Sequence, residues 1–149
     1  MNPLSSHQAK LLESVRIGHL ATADAAGTPH VVPVCFAARD QFIYSVLDQK
    51  PKRAALTRLR RVRNIQSHPQ VTLLLDHYEE DWSRLWYLMI SGTAELLVEG
   101  PERVSAIALL RDKYQQYRAM AIDDNPVIKI TGLKVVSWGS TPAISTQST

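Results

Sequence analysis

Ile17-Gly18-His19-Leu20-Ala21-Thr22-Ala23, Asp24-Ala25-Ala26-Gly27-Thr28 and Pro29-His30-Val31-Val32-Pro33-Val34-Cys35-Phe36-Ala37-Ala38 follow one another without a break. The outer two segments are short runs rich in apolar and β-branched residues. The middle one is a turn of Asp, Ala and Gly, so the three together predict a β-hairpin. Arg39-Asp40 then reverses the chain, and Gln41 to Leu47 alternates as a third strand. A meander at the start of a chain points to an antiparallel, mainly β fold.

Moving outward, Ser5 and Ser6 are able to cap a short helix that presents Leu11, Leu12 and Val15 on one face. On the other side Pro51 stands where a helix begins, and Leu56, Leu59 and Val62, with Ile65 further round, give it an apolar stripe ending near His68-Pro69. Val71 to Asp76 reads as a strand buried on both faces, Glu79 to Trp82 as a loop, and Leu85 to Val98 as a long strand bent at Gly92. Pro101 opens a second helix carrying Val104, Ile107, Leu110 and Tyr114 on one side, a stripe that fits an end of a barrel or a partner subunit alike. Val127 to Trp138, interrupted at Gly132, is the last strand. Six strands with peripheral helices predict an α+β, mainly β antiparallel barrel. It forms one domain over residues 1–138, with a loose Ser- and Thr-rich tail over 139–149.

The 149 residues, 45% hydrophobic and 21% charged, suit one core. No run approaches the roughly 18 to 20 apolar residues that span a bilayer, and the N-terminus lacks a signal-peptide pattern. A lone cysteine, Cys35, excludes an internal disulfide and fits a reducing, cytoplasmic setting. The net charge of +3 hides an asymmetry. Lys50, Lys52, Arg53, Arg58, Arg60, Arg61 and Arg63 lie in a stretch without acids, and the rest of the chain carries ten basic against fourteen acidic residues. On one continuous helix Arg53, Arg60 and Arg63 fall within about 80° of one another, with Lys50 and Lys52 beside the N-terminus, where an anion is favoured. The run reads as an anchor for a phosphate or carboxylate, or as a solvated face paired with Asp76, Glu79, Glu80 and Asp81. Nucleic acid is the weaker third reading, because no stacking motif accompanies the basic run.

Other chemistry is thinly represented. Cys35 lies mid-strand and reads as buried and inert. The five histidines show no ligand spacing with Cys35 or the acids, so no metal is expected. Phosphate loops and Gly-x-Ser-x-Gly elbows are missing from the sequence. Trp82, Trp86, Tyr87 and Trp138 read either as core or interface residues or as walls of a planar ligand.

Ile17 to Thr22 followed by Gly27 to Phe36 resembles the opening hairpin of the pyridoxamine 5'-phosphate oxidase-like, FMN-binding split barrels, which continue as Arg63-Asn64-Ile65, Pro69 and Val71 to Asp76 do here. Lys50-Pro51-Lys52-Arg53, Leu59 to Ile65 and Asp76 to Trp86 are similar to the actinobacterial branch of oxidoreductases that depend on the deazaflavin coenzyme F420. The resemblance covers residues 15–138. It implies a six-stranded antiparallel split β-barrel with Greek-key connections, assembled as a homodimer with cofactor sites at the interface. Pro33, Val34, Cys35, Phe36, Ser45 and Val46 would contact the ring system and ribityl chain. Lys50, Lys52, Arg53 and Asn64, with Arg60 or Arg63, would hold the phosphate end, and Trp82, Trp86 and Trp138 would come from either subunit. The implied activity is hydride transfer from reduced F420 to a conjugated organic acceptor. The alternatives are FMN in its place, or a non-catalytic flavin- or haem-binding protein on the same barrel. His77, Tyr78 and Arg84 are the candidate proton donors. In the family's B6 oxidases a Trp is followed by an Arg-containing substrate motif, whereas Trp138 here is followed by Gly139-Ser140-Thr141.

Overall fold

Asp24 makes the first hairpin. Its Oδ1 accepts from the backbone N–H groups of Ala26 and Thr28, both at 2.9 Å, while Gly27 takes the left-handed conformation (φ 83°) that closes the turn. In this computed structural model, which describes residues 3–48 and 53–142, the hairpin joins β1 (Gly18–Ala23) to β2 (Pro29–Val34). The helix before it, α1 (Ser6–Ser14), is capped by Ser5 in a reciprocal box with Gln8 and buries Leu11 and Leu12. The chain continues through β3 (Ala37–Arg39), β4 (Phe42–Val46), α2 (Arg53–Leu56), α3 (Arg60–Ser67) and β5 (Gln70–His77). After a 3₁₀ turn (Trp82–Arg84) come β6 (Trp86–Leu97), α4 (Pro101–Lys113), α5 (Gln115–Arg118) and β7 (Val127–Gly139).

The strands form one antiparallel sheet in the order β2-β1-β5-β6-β7-β4-β3. β4 lies beside β7 although the long α2–α3 connection carries it to β5, which is the Greek-key arrangement. β6 and β7 run the length of the fold and shift register between Ser91 and Thr93. At the bend a Cβ on Gly92 would stand 2.6 Å from the Thr131 carbonyl oxygen, so only glycine fits. One half of these strands carries β5, β1 and β2; the other carries β4 and β3.

Sequence spacing predicts six strands, and the structure has seven. The predicted strand from Pro29 to Ala38 is broken at Cys35–Phe36 into β2 and β3, which lie at opposite edges of the sheet. Three chain steps separate Val34 from Ala37, about 11 Å at most. The sheet therefore curls until its edges meet, and the curled sheet is a split barrel. Inside, Leu20, Phe36, Ile43, Leu73, Leu88 and Ile90 form the larger apolar cluster, which α1 and α3 cover. A second cluster at the β3–β4 side collects Tyr44, Val46, Ile107, Leu110, Tyr117 and Val127. The stripe predicted on α4 accordingly packs onto the barrel through Ile107 and Leu110, while Val104 turns outward, 59% exposed.

The basic segment also departs from its expected form. The spacing predicts one helix from Pro51 to His68; two helices are present, separated at Leu59, whose ψ of 142° is extended. Arg53 therefore does not share a helix with Arg60 and Arg63, and the common face inferred for the three does not exist. Among the described residues no helix is long and apolar enough to cross a membrane.

Candidate functional site

The break at Cys35 creates a seam, and a pocket of about 310 Å³ lies along it. Val32, Pro33, Val34 and Cys35 line it from the β2 side, Ser45, Val46 and Asp48 from the end of β4, Arg61 from α3, and Ile17 from the segment before β1. The seam is tied across by Ser45 Oγ, which donates to the Cys35 carbonyl at 2.8 Å. It is tied from behind by α4. Tyr114 Oη accepts from the Phe36 N–H at 3.0 Å, and Lys113 Nζ donates to the carbonyls of Phe36 (2.9 Å) and Leu12 (2.8 Å). Lys113 also sits 3.9 Å from the centroid of the Phe36 ring. Burial, with help from Arg16, pulls this ammonium down to about 8, and burial pushes the Tyr114 phenol up to about 12.

Among the described residues two charges face the pocket. Arg61 is only 7% exposed. Burial draws its guanidinium below the usual range, while Asp48 and Tyr117 act in the opposite sense. Asp48 accepts a 2.5 Å hydrogen bond on Oδ2 from the hydroxyl of Tyr117, a buried residue of α5. Burial, and then the bond to Asp48, keep that phenol protonated well above its ordinary range. The end of β4 is held in place by Asn125 Nδ2, which donates to the Leu47 carbonyl at 2.7 Å. A buried cation beside a fixed carboxylate, with an apolar wall and a thiol, can receive an anionic end of a ligand and an apolar body together.

The structure thus brings together Pro33, Val34, Cys35, Ser45 and Val46. It sets Phe36 in the core with no exposure. Asn64 is buried too, and its Nδ2 donates to Thr22 Oγ1 at 3.0 Å, a bond that pins α3 to β1. Arg60 and Arg63 are exposed on α3. Lys50 and Lys52 lie outside the described residues; Arg53 opens α2, and its side chain is outside them as well. The tryptophans are dispersed. Trp82 is exposed on the 3₁₀ turn, and Trp138 stacks on Tyr87 at 5.7 Å on the outer face of the sheet. Trp86 is buried against His77 at 6.2 Å. It lines a different pocket, of about 490 Å³, with Glu79, Arg84 and Val15. There His77 meets Glu79 at 2.5 Å and Arg84 meets Glu79 at 3.5 Å, so His77 and Arg84 serve that cluster and not the seam; Tyr78 is exposed and bonds Glu80. Among the described residues no group of three or more His, Cys, Asp or Glu side chains is placed to hold a metal ion.

Arg61, Asp48 and Tyr117 are the functional candidates that sequence reasoning missed. For Arg61 a signal existed. It stands four residues before Ile65, so on a helix it shares the inward face of an apolar residue and not the outward face of Arg60 and Arg63. Asp48 and Tyr117 carried no such signal, because 69 residues separate them.

The pyridoxamine 5'-phosphate oxidase family matches the chain over residues 4–139. No curated protein matches it. Among solved structures, a conserved hypothetical protein from Mycobacterium tuberculosis is 18% identical over 99% of this chain and 97% of its own, with a TM-score of 0.68. A FAD-binding protein from Mesorhizobium loti is 21% identical, with coverages of 91% and 95% and a TM-score of 0.65. The haem storage protein HutZ from Vibrio cholerae is 18% identical over 91% and 95%, with a TM-score of 0.64. At these identities the likeness is one of fold.

Proposed function

The chain belongs to the pyridoxamine 5'-phosphate oxidase family, and from that membership we propose that it is an oxidoreductase using reduced coenzyme F420 to deliver hydride to a conjugated organic acceptor. Arg61 is the observation that carries the reading. A guanidinium buried beside a pocket is costly unless it meets an anion there, and its planar fork suits a phosphate. The rest of the seam fits such a cofactor: Pro33, Val34 and Val46 offer apolar surface to a ring system, and Ser45 and Cys35 border it with polar atoms. When bound, the cofactor supplies the hydride. The chain binds the cofactor, orients it and shields it from water. Arg61, with the basic run at residues 50–63, holds the anionic end. The Ser45–Cys35 bond fixes the wall against which the ring lies.

A second copy of the chain completes the site. The pocket is at the small end of the roughly 300–1,000 Å³ typical of ligand pockets, and Ile17 at its edge is 45% exposed. The outer face of the sheet carries Met89 paired with Val136 and Tyr87 paired with Trp138, beside a groove of about 540 Å³ floored by Ala21, Ser91, Gly92 and Gly132. Aromatic and apolar residues exposed on the outer face of the barrel next to small ones suit a self-complementary dimer interface. The lone thiol suits a reducing cytoplasm.

A second reading keeps the barrel and changes its occupant: FMN in place of F420, or a flavin- or haem-binding protein without turnover. It is supported by the names of two structural neighbours, a FAD-binding and a haem storage protein. Titration of the purified protein with F420 and with FMN, followed by fluorescence quenching, tests both. Binding of F420 with reduction of enone or quinone acceptors is the expected result. Tight binding with no turnover of any acceptor would favour the binding-protein reading, and binding of neither cofactor would remove the seam pocket as a flavin site.

A further inference from the structure

An anion site does not ordinarily include a carboxylate, yet Asp48 lines the seam pocket together with Arg61. Its position is fixed. Tyr117 donates to Oδ2 at 2.5 Å from a ring that is itself 3% exposed in the second apolar cluster. Asn125 and the backbone bond from Leu47 N to the Pro126 carbonyl (3.0 Å) hold the adjoining chain. Asp48 is the one acid among the described lining residues. Asp48 and Arg61 line one pocket with opposite charges, and Asp48 acts on the guanidinium through a partly desolvated space. A ligand oxyanion drawn to the guanidinium must therefore also lie near a negative charge. Among the described lining residues Arg61 supplies one positive charge and Asp48 one negative charge, so each added negative charge on that ligand is opposed by Asp48 in surroundings where water screens it poorly.

Resting on the reading of the seam as a cofactor site, we propose that Asp48 is a specificity-determining residue that makes the pocket prefer a singly charged phosphodiester over the doubly charged phosphate of a phosphomonoester. The repulsion is a device for rejection: it acts on each ligand charge, so it penalises the doubly charged analogue about twice as much, in free energy, as the singly charged ligand. The same flavin ring offered with one or two phosphate charges would thus be told apart at its far end, away from the chemistry. Among the described residues, the charged and titratable groups around Asp48 are Arg61 from α3, Tyr117 from α5 and Cys35 from the seam, with Arg16, Lys113 and Tyr114 behind Cys35.

The test uses FMN and its methyl phosphodiester, two probes that share ring and ribityl chain and differ by one ionisable oxygen. Both are titrated into the full-length protein and read by flavin fluorescence. In the unaltered protein the methyl diester is expected to bind at least about tenfold more tightly than FMN near pH 7.5. The ratio should close toward about pH 5, where a phosphomonoester, with a second pKa of about 6, has lost one charge. Because both probes experience the same protein titrations, the ratio isolates the phosphate, and this arm requires no variant. Asp48→Asn, nearly isosteric, should raise FMN affinity about tenfold and leave the diester within about threefold. Contributions of neighbouring basic residues are common to both proteins. A ratio near one that is flat with pH, or an Asp48→Asn change equal for both probes, would overturn the proposal while leaving the cofactor site standing. If neither probe nor F420 binds, the cofactor reading itself is overturned, and the proposal with it.

Discussion

Arg61 illustrates a conflict between stability and binding. Its side chain is buried with Asp48 as the one carboxylate acting on it among the described residues, so the folded protein carries a desolvation cost that ligand binding relieves. Replacing it with methionine, Arg61→Met, is expected to weaken F420 or FMN binding by roughly 10- to 100-fold, the loss of a charge-assisted hydrogen bond of about 1.5–3 kcal/mol. The thermal midpoint of the ligand-free protein should hold or rise, and calorimetry beside fluorescence titration checks both halves. Lys113 gives a prediction of different form. Its folded pKa of about 8 lies below the ordinary 10.5, so between these values the unfolded chain holds the extra proton. Stability therefore rises with pH through that window, and the penalty is fully present below about pH 8. Tyr114, raised from 10.0 to about 12, works oppositely: its contribution is whole below pH 10 and lost as pH climbs through about 12. Urea midpoints measured from pH 7 to 10 should thus climb in the unaltered protein and flatten in Lys113→Met, whatever the variant's overall stability.

At the scale of elements, Gly92 is the most exposed to a single change. A methyl there would meet the Thr131 carbonyl at 2.6 Å and Ile130 Cγ2 at 2.7 Å, so Gly92→Ala must spread β6 from β7 at the bend. A loss of about 1–3 kcal/mol in chemical denaturation is expected, as for other overpacked sites. This bend was legible in the sequence, since a glycine inside a long strand pattern signals a bulge. So were the hairpin at Asp24–Thr28, the cap at Ser5, the helix start at Pro101, and the approximate extents of β5 and β7, all of them set by local chemistry. The two breaks were not. Neither Cys35–Phe36 nor Leu59 contains the Gly or Pro that marks an interruption. The first exists because distant strands close the barrel there, the second because Leu56, Val62 and Ile65 must all reach one core. The site suffered accordingly. Its β2 and β4 walls were among the positions that the family resemblance implies, whereas Arg61, although in phase with Ile65, stood among arginines that read as one exposed set, and 69 residues separate Asp48 from Tyr117.

For the molecule as a whole, the proposed dimer and the proposed cofactor site should fail together. Trp138→Glu puts a charge on the exposed outer face near the end of β7, beside Tyr87 and Val136. Light scattering after size exclusion is expected to show a shift toward monomer, with cofactor affinity falling in the same variant although Trp138 lines no part of the seam pocket. The seam itself has a topological consequence. Its two residues, Cys35 and Phe36, are the covalent tie between the first and last strands of the sheet, whereas the chain's described ends meet where His7 Nε2 lies 3.3 Å from Thr141 Oγ1. A circular permutant that starts at Phe36, joins residue 142 to residue 3 through a short linker and ends at Cys35 would keep every core side chain and every strand pairing yet leave the barrel unclasped. It should fold, with a far-ultraviolet circular dichroism spectrum like that of the parent, and lose flavin binding. The backbone at Cys35 would then be revealed as a latch whose service is to the ligand and not to the fold.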